Sequence, residues 1–211
     1  GFSNISLDLM IGLPHSTTAS LKQSLDFLLS LNPEHISAYI LKIEEKTLFF
    51  KTQASLNLPS EDEICEQYLF MCDYLEQNGY NHYEISNFAR PGFRSRHNSS
   101  YWKDIPYIGC GASAHSYNGT QRKWNCSDIN LYIKGIAACH TQEELEQASW
   151  IEKEHLTLKE RYNECIITSL RTVEGLSLDL LKEKFGDNLT NYCLKNANRH
   201  IRNGYLELTK N

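Results

Sequence analysis

The sequence predicts an α/β fold with a small helical domain at its C-terminal end. Two observations carry this. Residues 5 to 41 run through strand, helix and strand patterns, and residues 158 to 201 hold three helical patterns in a row. Residues 5 to 11 are mostly apolar, as in a buried strand, and Gly12 and Pro14 end the run. Thr17 or Thr18 caps a helix. Leu21, Leu25, Leu28 and Leu29 then share one face of it. Asn32-Pro33 stops the helix, because proline pushes the preceding residue out of the α region. Residues 36 to 41 form the next strand. A unit of this length makes the two strands parallel, joined by a right-handed crossover. Parallel sheets need helices on their faces and more strands than two. The unit therefore reads as the edge of an incomplete barrel with its apolar side partly uncovered. The chain opens on Gly1-Phe2-Ser3 and reads as a piece of a longer protein.

Residues 44 to 59 look irregular. Ser60-Glu61-Asp62-Glu63 is a capping box. The helix it opens carries Ile64, Tyr68, Met71 and Leu75 and stops at Gly79. A strand follows, with Tyr83 and Ile85 on one side and Glu84 and Ser86 on the other. Gly109 and Gly111 suggest a backbone that something else approaches closely. Asp128 caps a helix reaching about Ala138. Residues 158 to 170, 176 to 185 (capped by Ser177) and 189 to 201 are the three late helices. Asn203-Gly204 ends the last of them, and residues 205 to 208 read as a short strand. That order is winged-helix-like. The expected divisions are 1–50, 51–127 and 128–211.

Composition narrows the function classes. The net charge is −5, against the basic surface that nucleic-acid binding needs. No apolar run reaches the length of a membrane span. Seven cysteines, an odd number without framework spacing, fit a reducing compartment, so a cytoplasmic location is expected.

The densest chemistry lies between Tyr83 and Trp102. Glu84, Asn87, Arg90, His97, Asn98, Tyr101 and Trp102 crowd around one Pro-Gly turn. Such a set suits a pocket for a large planar or charged ligand. On the residues alone, a loop pinned by hydrogen bonds, with Trp102 covering a core edge, is the favoured reading. Asp8 is a second signal. A carboxylate inside an apolar strand is costly unless it is paired or solvated, and parallel strands carry their sites at the carboxyl ends. A structural salt bridge explains it as well. Cys110 has no Cys or acid partner nearby in sequence and reads as a small buried residue.

Several blocks appear in a familiar order. They are D-L-M-I-G-L-P from Asp8, Tyr83 to Arg90, H-N-x-x-Y-W from His97, and G-C-G-A-S-A from Gly109. Together they resemble the oxygen-independent coproporphyrinogen III oxidase family, the radical S-adenosylmethionine (SAM) proteins of the HemN/HemW type. The resemblance implies the C-terminal part of a radical SAM partial (β/α)6 barrel, with added antiparallel strands that extend the sheet. It implies SAM contacts at Asp8, at the backbone of Lys42 and at His115. It further implies a haem or porphyrin surface at His97, Asn98, Tyr101, Trp102 and Arg90, since histidine ligates haem iron and Arg pairs with propionates. The H-N-x-x-Y-W block is similar to the HemW branch, which is haem-binding and chaperone-like. The oxidase branch has D-H-F-A-K where this chain has Ser86-Asn87-Phe88-Ala89-Arg90.

The family holds a 4Fe–4S cluster through C-x3-C-x2-C and uses SAM as its second cofactor. Cysteines 65, 72, 110, 126, 139, 165 and 193 do not have that spacing. The chain is therefore expected to hold no metal, the cluster cysteines to lie upstream, and the chain alone to be inactive as an oxidoreductase. The partners implied are a porphyrin or haem and a haem-accepting protein, not a nucleic acid. Two alternatives stay open. One is a true oxidase that decarboxylates the propionates of coproporphyrinogen III. The other is a non-catalytic winged-helix interaction module. Its late helix bears Lys195, Arg199, His200 and Arg202, with Glu183, Asp187 and Glu207 diluting the charge.

Overall fold

The computed structural model of the chain describes residues 2–209. Its contacts fall into two units. The first takes the chain up to Ser99 together with Arg171–Val173; the second takes Ser100–Leu170 and the chain from Glu174 onward.

In the first unit, β1 (Ser6–Ile11), α1 (Thr18–Ser30) and β2 (His35–Ile40) form the expected parallel unit, in register from Ser6 opposite His35 to Ile11 opposite Ile40. Thr17 caps α1: its hydroxyl accepts from the Ser20 N–H, and the Ser20 side chain accepts from the Thr17 N–H. After α2 (Leu48–Thr52) and a 3-10 turn (Gln53–Ser55), α3 (Glu61–Gln77) opens on the Ser60/Glu63 capping box. The chain turns at Gly79, whose φ of +85° suits glycine. It then adds β3 (Asn81–Glu84) and β4 (Asn87–Ala89). β4 inserts antiparallel between β2 and β3, so the sheet order is β1-β2-β4-β3. Residues 171–173 lie along β3, with an antiparallel bridge from Glu84 to Thr172.

One face of this sheet is the core. Ile11, Ile36, Ala38 and Phe88 meet Leu21, Leu25 and Leu28 of α1 and Met71 and Leu75 of α3. Each such large side chain contributes about 1.5–3 kcal/mol by leaving water. The apolar side of β1 is only partly covered, as expected: Leu7 and Leu9 are half-buried.

α4 (Arg96–Trp102) carries the chain past Ser99. The second unit holds an antiparallel sheet, β5 (His115–Tyr117), β6 (Gln121–Asn125) and β7 (Ile151–His155), in the order β5-β6-β7. α5 (Ile129–Ala138) and α6 (Gln142–Gln147) connect β6 to β7. α7 (Leu158–Ser169) and α8 (Leu178–Arg202) follow, packing Tyr162, Cys165 and Leu181 into a small core. Gly186, at φ 80° and ψ 171°, breaks α8 into the two helical stretches the sequence predicts.

Several expectations are corrected, among them Cys110, which is exposed and not buried. The 44–59 region is not wholly irregular, because Thr47 caps α2 by accepting from the Phe50 N–H. Tyr83 and Glu84 do not alternate between faces. A register shift between His82 and Glu84 buries both, and Ile85 turns outward. The H-N-x-x-Y-W block is helix, not loop. Residues 205–208 form no strand, so the winged-helix pattern lacks its terminal wing; β7 instead precedes the helices. Gly109 behaves as expected, since a Cβ there would lie 2.1 Å from the His115 carbonyl oxygen. Gly111 does not: nothing lies within 4 Å, and its φ of +115° is the reason for glycine.

Candidate functional site

Opposite the core face, the first sheet carries a polar row. Residues paired across a sheet point to the same side. Asp8 on β1 is paired with Ser37 on β2, Ser37 with Asn87 on β4, and Asn87 with Glu84 on β3. The row thus crosses all four strands. It runs from an exposed carboxylate at Asp8 to a buried one at Glu84.

Each buried member is held. The Glu84 side chain is fully buried, with the Arg171 guanidinium 3.5 Å away. The same carboxylate accepts from the Ser86 N–H at 3.0 Å and from the Asn87 amide. Asn87 in turn accepts from the Asn98 amide of α4 at 3.4 Å. A second chain of bonds runs beside the row. His35, 4% exposed, meets the Ser6 hydroxyl with Nδ1 at 2.7 Å and the Tyr83 hydroxyl with Nε2 at 2.8 Å. The Ser95 N–H donates to that Tyr83 hydroxyl at 3.3 Å, and the Arg94 guanidinium stacks 5.2 Å over the Tyr83 ring. Burial pushes the His35 imidazole below its usual pKa, against the weaker upward pull of Asp8 and Glu84.

The face can therefore offer an exposed acceptor, Asp8, with Ser37 and Asn87 buried beside it and Asn98 half-buried at the row's edge. Its back is braced by a buried ion pair. Such a surface suits a polyhydroxylated or zwitterionic ligand, whose hydroxyls donate to carboxylate.

The other predicted residues fall as follows. Asn98 joins the row, and His97, its neighbour on α4, is exposed. Lys42 is exposed just past β2, and its ammonium is paired with Glu44 at 2.9 Å. Arg90 is engaged elsewhere: it donates to Asn32 at 2.6 Å and stacks 4.7 Å over Tyr80. Tyr101, Trp102 and His115 lie in the second unit. Tyr101 meets Tyr107 edge-on at 5.0 Å. His115 is exposed and stacks on Trp124 at 5.7 Å. Among the described residues no group of three or more His, Cys, Asp or Glu could hold a metal ion, so the residues present do not fit an iron–sulfur cluster.

Ser37, His35 and Arg171 were missed by sequence reasoning. A signal exists for the first two. Ser6 and Asp8 alternate with Leu7 and Leu9, and His35 and Ser37 alternate with Ile36 and Ala38, which marks one polar face on two adjacent strands. Arg171 has no such signal, because it arrives from a distant part of the chain.

Residues 156–211 match the family model described as "HemN C-terminal domain". The fold matches coproporphyrinogen III oxidase (HemN) from Escherichia coli, with a TM-score of 0.74 over 99% of this chain and 50% of that one, at 21% identity. The chain is 38% identical to the "Heme chaperone HemW" of Bacillus subtilis over 191 residues, 90% of this chain and 48% of that protein. The chain belongs to the HemW-like branch of the HemN family. A second haem chaperone HemW, from Lactococcus lactis, is 36% identical over 88% of this chain and 47% of its own length. A protein of Danio rerio, "Radical S-adenosyl methionine domain-containing protein 1, mitochondrial", is 32% identical over 82% of this chain and 40% of its own. The chain spans about half the length of the curated relatives it matches. These likenesses favour the HemW-like reading over both the oxidase and the free-standing winged-helix module. Among the described residues no helix is long and apolar enough to cross a membrane.

Proposed function

We propose that this chain is the haem-handling half of a radical SAM protein, with SAM against the polar face of the first sheet and haem at the helix beside it. One observation carries the reading: Asp8, read from the sequence as a SAM contact, begins the polar row, and Asn98, read as a haem contact, donates from α4 to Asn87 of the same row.

The donor set fits SAM. The Asp8 carboxylate is exposed and positioned to accept from ribose hydroxyls, with the Ser37 side of the row behind it. The backbone at Lys42 is a further proposed contact. The Glu84–Arg171 pair keeps Asn87, and through it Asn98, in place. SAM and a 4Fe–4S cluster would supply radical or electron-transfer chemistry in the whole protein. No cysteine of this chain is assigned to the cluster.

For haem, His97 is exposed on α4 and is the proposed iron ligand. Tyr101 and Trp102 follow on the same helix and supply flat faces; Arg90 is the proposed propionate partner and would exchange its Asn32 and Tyr80 contacts for the propionate. The receiving partner is a haem-accepting protein.

The test is a haem titration of wild type and His97→Ala. Loss of an iron ligand should shift the Soret band and weaken binding about tenfold or more, with circular dichroism confirming that the variant folds. Equal affinity and an unshifted Soret band in His97→Ala would end the ligand assignment.

A further inference from the structure

The second unit contains a cavity of roughly 170 Å³ between its small sheet and α7 and α8. A porphyrin does not fit inside: sites for ligands of drug size begin at about 300 Å³. At about 30 Å³ per water, the space holds some five or six heavy atoms.

Its walls are aromatic. Tyr101, Trp102, Tyr107, Tyr117 and Phe185 all line it. Its charges are nearly balanced. Glu164 accepts from the Arg122 guanidinium at 2.7 Å, and Glu154 lies 3.9 Å from the same Arg. Asp104 pairs with Lys184 at 2.8 Å and accepts from the Tyr117 hydroxyl at 2.5 Å. Among the described residues, one cation lining the cavity has no ion pair. Arg161, half-buried on α7, engages neither Glu164 nor Asp104.

A half-buried arginine on the wall of a partly enclosed aromatic space is a place for an anion. The geometry points to a binding site for a short-chain carboxylate, with its carboxylate on Arg161 and its aliphatic stem among the aromatic rings. The size excludes anything longer than about two or three carbons plus the carboxylate. The two acids on the wall disfavour a dianion such as phosphate. The carboxylate could belong to a free acid or to a propionate arm of a larger molecule whose body stays outside. The site goes beyond the haem and SAM reading and stands without it.

Four probes separate these sources: propionate, its neutral isostere propionamide, haem, and haem dimethyl ester. Saturation-transfer NMR on the 211-residue chain should show propionate bound and propionamide not. Arg161→Gln should weaken propionate about tenfold or more, the scale of one charge-assisted hydrogen bond, while Arg161→Lys keeps part of the affinity. An unchanged thermal midpoint shows that both variants fold. Loss of propionate binding together with unchanged haem binding assigns the site to a free acid. If haem binds Arg161→Gln more weakly than wild type, and the dimethyl ester does not distinguish the two proteins, the site takes a propionate arm. If propionate does not bind and Arg161→Gln leaves haem affinity unchanged, the inference is overturned. Failure of the His97 assignment leaves the propionate result intact, so the two readings fail separately.

Discussion

His35 shows how one residue ties the polar face to solution conditions. Its imidazole is buried between two hydroxyls, and burial lowers its pKa below the ordinary 6.5. The unfolded chain takes up a proton near pH 6.5, and the folded chain resists until lower pH. Between those values the unfolded state binds more protons, so stability falls as pH drops. The contribution is fully present above about pH 6.5 and is lost as pH falls through the folded value. Urea unfolding at pH 7.5 and pH 5.5 should show this loss in wild type and a smaller one in His35→Gln. Equal pH slopes in the two proteins would remove His35 as the titrating group. Cysteines are quieter. Burial pushes the thiols of Cys72 and Cys165 up, which keeps them protonated and inert at neutral pH.

At the scale of elements, caps and breaks decide most boundaries. Thr17, Ser60, Asp128, Thr157 and Ser177 each accept a backbone N–H at the start of a helix. The break within α8 depends on Gly186. Its φ of 80° with ψ of 171° belongs to a region that side chains essentially never enter, and nothing lies within 4 Å of where a Cβ would stand. The cost of Gly186→Ala is therefore conformational, not steric. It should lower the stability of the chain by about 1–3 kcal/mol in urea. An unchanged midpoint would show that α8 can straighten without loss. α5 has a different character. It has no buried residue, yet Gly135 is required, because a Cβ there would lie 2.3 Å from the Trp150 indole.

On the scale of the whole molecule, the chain closes its first unit with residues from far downstream. Arg171–Val173 belongs to that unit. The Ile85 N–H donates to Arg171 O at 3.2 Å, the Val173 N–H donates to Tyr83 O at 3.1 Å, and the Arg171 guanidinium faces Glu84. Removing one partner of a buried pair costs about 3–5 kcal/mol. Arg171 is one-third exposed, so Arg171→Met should cost somewhat less, about 2–3 kcal/mol, through the carboxylate left behind. Adding Glu84→Gln should restore part of that loss, because an amide is easier to bury than a carboxylate. Denaturant melts of the two single variants and the double variant measure the coupling. Additive losses would mean that the pair does not brace the sheet.

Much of the fold was legible because it rests on local rules. The parallel unit follows from Leu spacing in α1 and the apolar runs on either side. The capping box at Ser60 and the stop at Gly79 need no knowledge of the rest of the chain. The family was legible through short blocks in the right order. What stayed hidden depends on partners far away in sequence. β6 and β7 read as polar because Gln121–Asn125 and Ile151–His155 belong to a small antiparallel sheet whose strands are partly or fully exposed. The helix at 96–102 was masked by its run of polar residues. Tyr83 and Glu84 share burial only because a bulge rotates β3. Asp8 stood out as an odd carboxylate. That it begins a row ending on a buried Glu84–Arg171 pair was decided by register across four strands and by a segment returning from residue 171, since pairing across a sheet is set by tertiary contacts.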